Sequence, residues 1–136
     1  MSVLINIDVP DLEPAITFYT EGLGLMLSRR FDEGFAELAG PGVLIYLLAK
    51  PTGSEPAPGA PPRSYARHWT PVHLDFQVDD VPVAVARAVA AGATLESPPE
   101  AKPYGELAML ADPFGHGFCL IRLAGQGYGV YLGDTG

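Results

Sequence analysis

Three scarcities bound what this chain can be. It has one cysteine, Cys119, in 136 residues, which excludes an internal disulfide and any zinc site built from several thiolates, and suits a reducing compartment. It is short of positive charge, with 8 basic against 16 acidic residues and a formal net charge of −8. Such a balance repels phosphate backbones and provides no basic face to bind them, so nucleic acid is not an expected partner. No apolar run approaches the roughly 20 residues of a membrane-spanning helix. The opening MSVLINIDVPDL also lacks the basic flank and long apolar stretch of a signal peptide, so a cytoplasmic location is expected.

What remains is the composition of a folded domain, 48% hydrophobic and 18% charged, with enough apolar residues for a real core. Its organisation is a repeat. VLINIDVPDLEPAITFYTEGLG, beginning at Val3, aligns without a gap on VHLDFQVDDVPVAVARAVAAGA, beginning at Val72, so every position keeps one constant offset. Each copy opens on an alternating strand, with Val3, Ile5, Ile7 and Val9 in one and Val72, Leu74, Phe76 and Val78 in the other. That period of two marks a sheet covered on one face.

An aspartate follows in each, Asp11 or Asp80, placed to cap a helix, with Pro14 or Pro82 in the first turn. The helices carry buried stripes, Leu12, Ile16, Tyr19 and Leu23 in the first and Val81, Ala84, Val85, Ala88 and Val89 in the second. Gly22 or Gly24 closes one helix and Gly92 the other. Three further strands follow in each half: LMLSRRF, FAELAG and VLIYLLA, then ATLESP, ELAMLAD and GFCLIRL.

The expected organisation is one compact α+β domain made of two βαβββ modules, residues 1–50 and 70–124. Between them residues 51–69 begin with PTGSEPAPGAPPRSYAR, whose five prolines read as a linker or a lid over a pocket. A tail, residues 125–136, carries Tyr128, Val130 and Tyr131 among glycines, to reach across an interface or to pack on its own chain.

Two such modules, with VPDLEPAITFYTEGLGL at the start, VHLDFQVDD in the middle and the DPFG turn entering GFCLI at the end, resemble the vicinal oxygen chelate superfamily. That superfamily includes glyoxalase I, the bleomycin-resistance proteins and the extradiol dioxygenases. The resemblance implies a curved mixed sheet around a cavity with helices on its outer face, and a homodimer. Its enzymes hold a divalent metal at four positions, which fall here on Leu4, Tyr46, His73 and Cys119. Leucine donates nothing and a neutral tyrosine poorly replaces a carboxylate, so no metal is expected; ligands reaching in from Asp75, Asn6 or a partner chain would be needed for one.

Alternation places Leu4, Asn6 and Asp8 beside His73, Asp75 and Gln77 on the cavity face. His73 and Asp75, two residues apart on one strand, form a candidate ligand-orienting or proton-transfer pair. Tyr46 and Trp69 offer aromatic surface to a ligand, and Cys119 a small apolar one. His68, His116 and the DPFG turn read as geometry, solvated turns without chemistry. The expected function is therefore a metal-independent, glyoxalase-like protein binding or sequestering a small organic ligand through Asn6, Tyr46, Trp69, His73, Asp75 and Cys119. The alternatives are a metal-dependent lyase, isomerase or dioxygenase, a metal-free acid–base enzyme using His73 and Asp75, and a structural subunit with a filled cavity.

Overall fold

The computed structural model describes residues 1–133; the last three positions of the expected tail, 134–136, lie outside the described residues. The first module runs β1 (Ile5–Val9), α1 (Leu12–Thr17), a π-helical turn (Phe18–Gly22), β2 (Met26–Asp32), β3 (Phe35–Gly40) and β4 (Val43–Ala49). The second runs β5 (Leu74–Gln77), α2 (Val81–Ala90), β6 (Thr94–Lys102), β7 (Gly105–Ala111) and β8 (Gly117–Leu123), followed by a 3-10 turn (Gly127–Leu132). The sheets have the orders β1-β4-β3-β2 and β5-β8-β7-β6. In each, the first strand pairs in parallel with the last and the others pair antiparallel. The α+β double module is thus as the repeat implied.

One core runs through both modules. The inward residues Ile45 and Leu47 of β4 and Phe118 and Leu120 of β8 are buried together with Leu12 and Phe18 from the first module's helical segment and Val81 from α2. Burying a large aliphatic or aromatic side chain contributes about 1.5–3 kcal/mol. The two helical segments meet closely at Gly22, where a Cβ would lie 3.0 Å from that of Ala91.

The matched helix starts are capped differently. Asp80 accepts a hydrogen bond from the Val83 amide at 3.1 Å, whereas the Asp11 side chain makes no cap bond. Both aspartates have extended backbones, but the third helical position after Asp11 is Pro14, which has no N–H to donate. Val89 is exposed despite its spacing, because the buried line of the short α2 is Val81, Val85 and Ala88. Val3 and Val72 are also exposed, since the paired strands begin two residues later than the alternation.

Residues 51–69 are tied down at several points despite their composition. The Arg63 amide donates to the Ser54 carbonyl at 2.8 Å, and the Arg63 side chain pairs with Asp8 at 2.8 Å. Tyr65 donates its hydroxyl to the Lys50 carbonyl, and Arg67 grips Glu96 with two nitrogens. At the far end of the segment, the Tyr65 carbonyl oxygen crosses over Gly115, whose φ is +95° and where a Cβ would come within 2.2 Å. In the tail, Tyr128 and Tyr131 pack on Tyr104 of the same chain, at 5.0 and 6.3 Å between ring centres.

Gly115→Ala therefore combines a disfavoured backbone with a clash against main chain. It is expected to lower stability by about 2 kcal/mol or more, a fall of roughly 6–10 °C in Tm. Gly53→Ala, at positive φ but with open space, should cost clearly less in the same thermal melt; equal losses would sink the crossing as the cause.

Candidate functional site

The helix-free face of each sheet carries one row of facing residues. In the first module the register aligns Asn6, Tyr46, Glu37 and Arg29 across β1, β4, β3 and β2. In the second it aligns Asp75, Cys119 and Met109 across β5, β8 and β7. Since Asn6 and Asp75 are equivalent in the repeat, Cys119 stands where the first module has Tyr46, and Met109 where it has Glu37.

The first row is a closed polar network. Glu37 is buried in the middle of an otherwise apolar strand. It accepts two bonds from Arg29, at 3.0 and 2.9 Å, one from Ser28 at 3.0 Å and one from the Tyr46 hydroxyl at 2.7 Å. A register irregularity between Leu27 and Arg29 lets two consecutive β2 residues reach one partner. The Arg29 bonds, then the Tyr46 bond, hold the Glu37 carboxyl down at about 2, and the same contact raises the Tyr46 phenol. Arg29 also lies 5.0 Å over the Phe31 ring, beside the Phe35 and Tyr46 rings.

The second row is open. His73 Nε2 lies 3.3 Å from Asp75 Oδ1, and the ligating atoms of His73, Asp75 and Cys119 fall within 4.8 Å of one another. Cys119 is buried, and burial pushes its thiol up to about 12, with the Asp75 carboxylate adding to the shift. Trp69 stands edge-on to His73 at 5.7 Å, under the Arg67 guanidinium at 4.5 Å. Its indole occupies the space a side chain at Gly117 would need. Trp69 remains 38% exposed, a partly open ring on the module's rim.

The unpaired edges of β1 and β5 border two cavities. One, of about 750 Å³, has apolar walls from Ile5, Val43, Phe76 and Leu120, with Asp75 and Asp79 among its polar groups. The other, of about 430 Å³, is bordered by Asn6, Asp8, His68 and His116. Of the six expected ligand residues, Asp75 thus lines the first and Asn6 the second, while Tyr46, Trp69, His73 and Cys119 line neither.

The four positions that hold metal in the resembling enzymes do not form such a site here. Leu4 has no donor atom, the Tyr46 hydroxyl donates its hydrogen bond to Glu37, and the Cys119 thiol is held protonated. The compact donor set present is a different one, in which Asp75 joins His73 and Cys119.

Groups that periodicity passed over are Glu37, with Arg29 and Ser28, and Asp112, with Tyr19 and His116. The available signals were a lone acid inside FAELAG and the acid heading DPFGH. His116 is corrected from a solvated turn residue: its Nδ1 lies 2.8 Å from the buried Asp112 carboxylate.

A glyoxalase-like domain model matches residues 4–121. The chain belongs to that glyoxalase-like family, within the vicinal oxygen chelate superfamily. It is 32% identical over 130 residues to CFP32 of Mycobacterium bovis and of Mycobacterium tuberculosis, whose name assigns it provisionally as a glyoxylase. The alignment takes in 88% of this chain but 42% of each relative, so the glyoxalase-like chain spans about two fifths of their length.

Among solved structures, a glyoxalase-related enzyme from Fulvimarina pelagi superposes with a TM-score of 0.72 at 23% identity, covering 90% of this chain and 87% of that one. A glyoxalase/bleomycin resistance protein/dioxygenase family enzyme from Burkholderia phytofirmans gives 0.67 at 25%, covering 89% and 97%. A genomically encoded fosfomycin resistance protein from Listeria monocytogenes gives 0.68 at 17%, covering 91% and 93%. Identities as low as those of the first and third show the shared fold alone.

Two measurements test this electrostatic picture. Because the folded Glu37 value, about 2, lies below its ordinary 4.5, its contribution to stability is complete above about pH 4.5 and disappears as pH falls toward 2. Urea unfolding at pH 5, 4 and 3 should show the wild type losing stability more steeply than Glu37→Gln; parallel losses would contradict the network. At pH 8 Cys119 should alkylate with iodoacetamide at least about 100-fold more slowly in the folded protein than in urea. Comparable rates would contradict a buried, protonated thiol.

Proposed function

We propose that this glyoxalase-like protein binds a small organic molecule, without a metal, where the open second row meets the larger cavity that Asp75 lines. The observation that carries the reading is the state of the four family positions: one without a donor, one engaged with Glu37, one a protonated thiol, and only His73 retaining a usual ligand. The cavity has the size and mixed lining of small-molecule sites, apolar walls with a few polar groups. His73 and Asp75 orient the ligand's polar group, with Trp69 and Cys119 beside them in the second row; Tyr46 and Asn6 do not line this cavity. The close His73–Asp75 pair also suits a metal-free proton transfer, should the ligand carry an acidic proton.

A second reading is favoured by one observation, the gathering of His73, Asp75 and Cys119 donors within 4.8 Å. An imidazole, a carboxylate and a thiolate together are a donor set that zinc accepts, with a fourth position left for a substrate. Binding would require the Cys119 proton to leave, and a metal-dependent enzyme of the superfamily would then result.

The protein is further proposed to be a cytoplasmic homodimer. Its reduced Cys119 suits such a compartment, and Leu4, Val72, Phe31 and Trp69 leave apolar surface for a second copy to cover. No helix among the described residues is long and apolar enough to cross a membrane.

Elemental analysis and calorimetric ligand screening of chelator-free protein decide between the readings. We expect no stoichiometric metal, and a hit whose affinity falls about 10-fold or more in His73→Ala. A stoichiometric ion that is lost in His73→Ala and Cys119→Ser would overturn the metal-free reading.

A further inference from the structure

The smaller cavity is bordered by Val72 and Leu74, on either side of His73, but by none of His73, Asp75 and Cys119, and one wall of it carries an arrangement that a turn does not need. Asp112 heads the DPFGH turn, and its Oδ1 accepts the Phe114 and His116 amides at 2.8 and 2.9 Å. Those two bonds suffice to shape the turn. Its Oδ2 accepts the Tyr19 hydroxyl at 2.6 Å and faces His116 Nδ1 at 2.8 Å, with the carboxylate side chain fully enclosed. Tyr19 comes from 93 residues away, presented by the π-helical turn, a rare local structure. Burial, with Asp112 beside it, raises the Tyr19 phenol well above its ordinary value, so it acts as a donor.

This geometry sets the tautomer of His116. An ionised carboxylate only accepts, so Nδ1 carries the proton and, in the neutral ring, Nε2 offers its lone pair. Among the described residues nothing bonds to that Nε2, and the ring is one-third exposed on the cavity wall.

The remaining wall says what fits. Phe76, Phe114 and Phe118 line it, and Tyr65 stands edge-on to His116 at 6.0 Å. Aromatic walls favour a planar ring. Among the described residues no lysine or arginine lines the cavity, and with the overall charge of −8 this disfavours an anion. We propose that this cavity is a second small-molecule site, for a neutral phenol-type aromatic whose hydroxyl donates to His116 Nε2, with Asp112 and Tyr19 as positioning residues.

Nitrogen-15 histidine NMR of the whole chain, titrated with para-cresol and with 4-methylanisole, tests this independently of the His73 site. Before titration His116 should show the Nδ1-protonated tautomer, and Asp112→Asn should remove that preference. Cresol should shift the His116 ring signals well beyond those of His73, and should bind about 10-fold or more tightly than the methyl ether, which lacks the donor. His116→Leu should abolish that difference. Equal affinities, an Nε2-protonated His116, or cresol shifts confined to His73 would each overturn the proposal; the last would leave the His73 reading standing. The comparison of the two probes needs only wild-type protein, so a variant that fails to fold leaves the test intact.

Discussion

The join between the modules is apolar packing and not strand pairing, and the rest of the molecule's chemistry follows from that choice. β1 and β5 are edge strands of separate four-stranded sheets. Phe18, Leu12, Val81 and Leu120 hold the halves together in one core. Had the two strands been zipped by a ladder, their edges would be closed. Held instead by side chains beneath, they leave space at both ends, and both cavities are bordered by their residues.

The two modules have the same backbone plan and opposite electrostatic plans. In the first, a buried carboxylate at Glu37 is answered by Arg29, Ser28 and Tyr46, which uses up the polar groups of the row. Leaving such a charge unpaired would be costly, so the network and the burial imply each other. In the second, Met109 takes the Glu37 position and needs no partner. Asp75 is then left to His73 and Cys119, near solvent and beside a cavity. Of the two copies, one thus has a saturated polar row and the other an open one.

Much of the fold was legible because it rests on local rules. Short apolar stretches located FAELAG, VLIYLLA and GFCLIRL at the bounds of β3, β4 and β8, and the repeat located the helices. Errors arose where a local rule met a second one. Asp11 occupies a capping position, but Pro14 removes its target. Val89 has helical spacing, but α2 turns it outward. The site was less legible: His73 beside Asp75 follows from strand geometry, whereas the partners of Glu37 come from strands whose register the sequence does not reveal.

By itself the sequence determined the double module, the alternation along each first strand and the poverty of ligands at Leu4 and Tyr46. These depend on periodicity and residue type, which neighbours along the chain define. Only the tertiary structure decided that Tyr46 is tied to Glu37, that Asp75 lies against Cys119, and that Tyr19 reaches Asp112 across 93 residues. Such contacts depend on register and on the packing of one module against the other. They are properties of distance in space, on which spacing along the chain places almost no constraint.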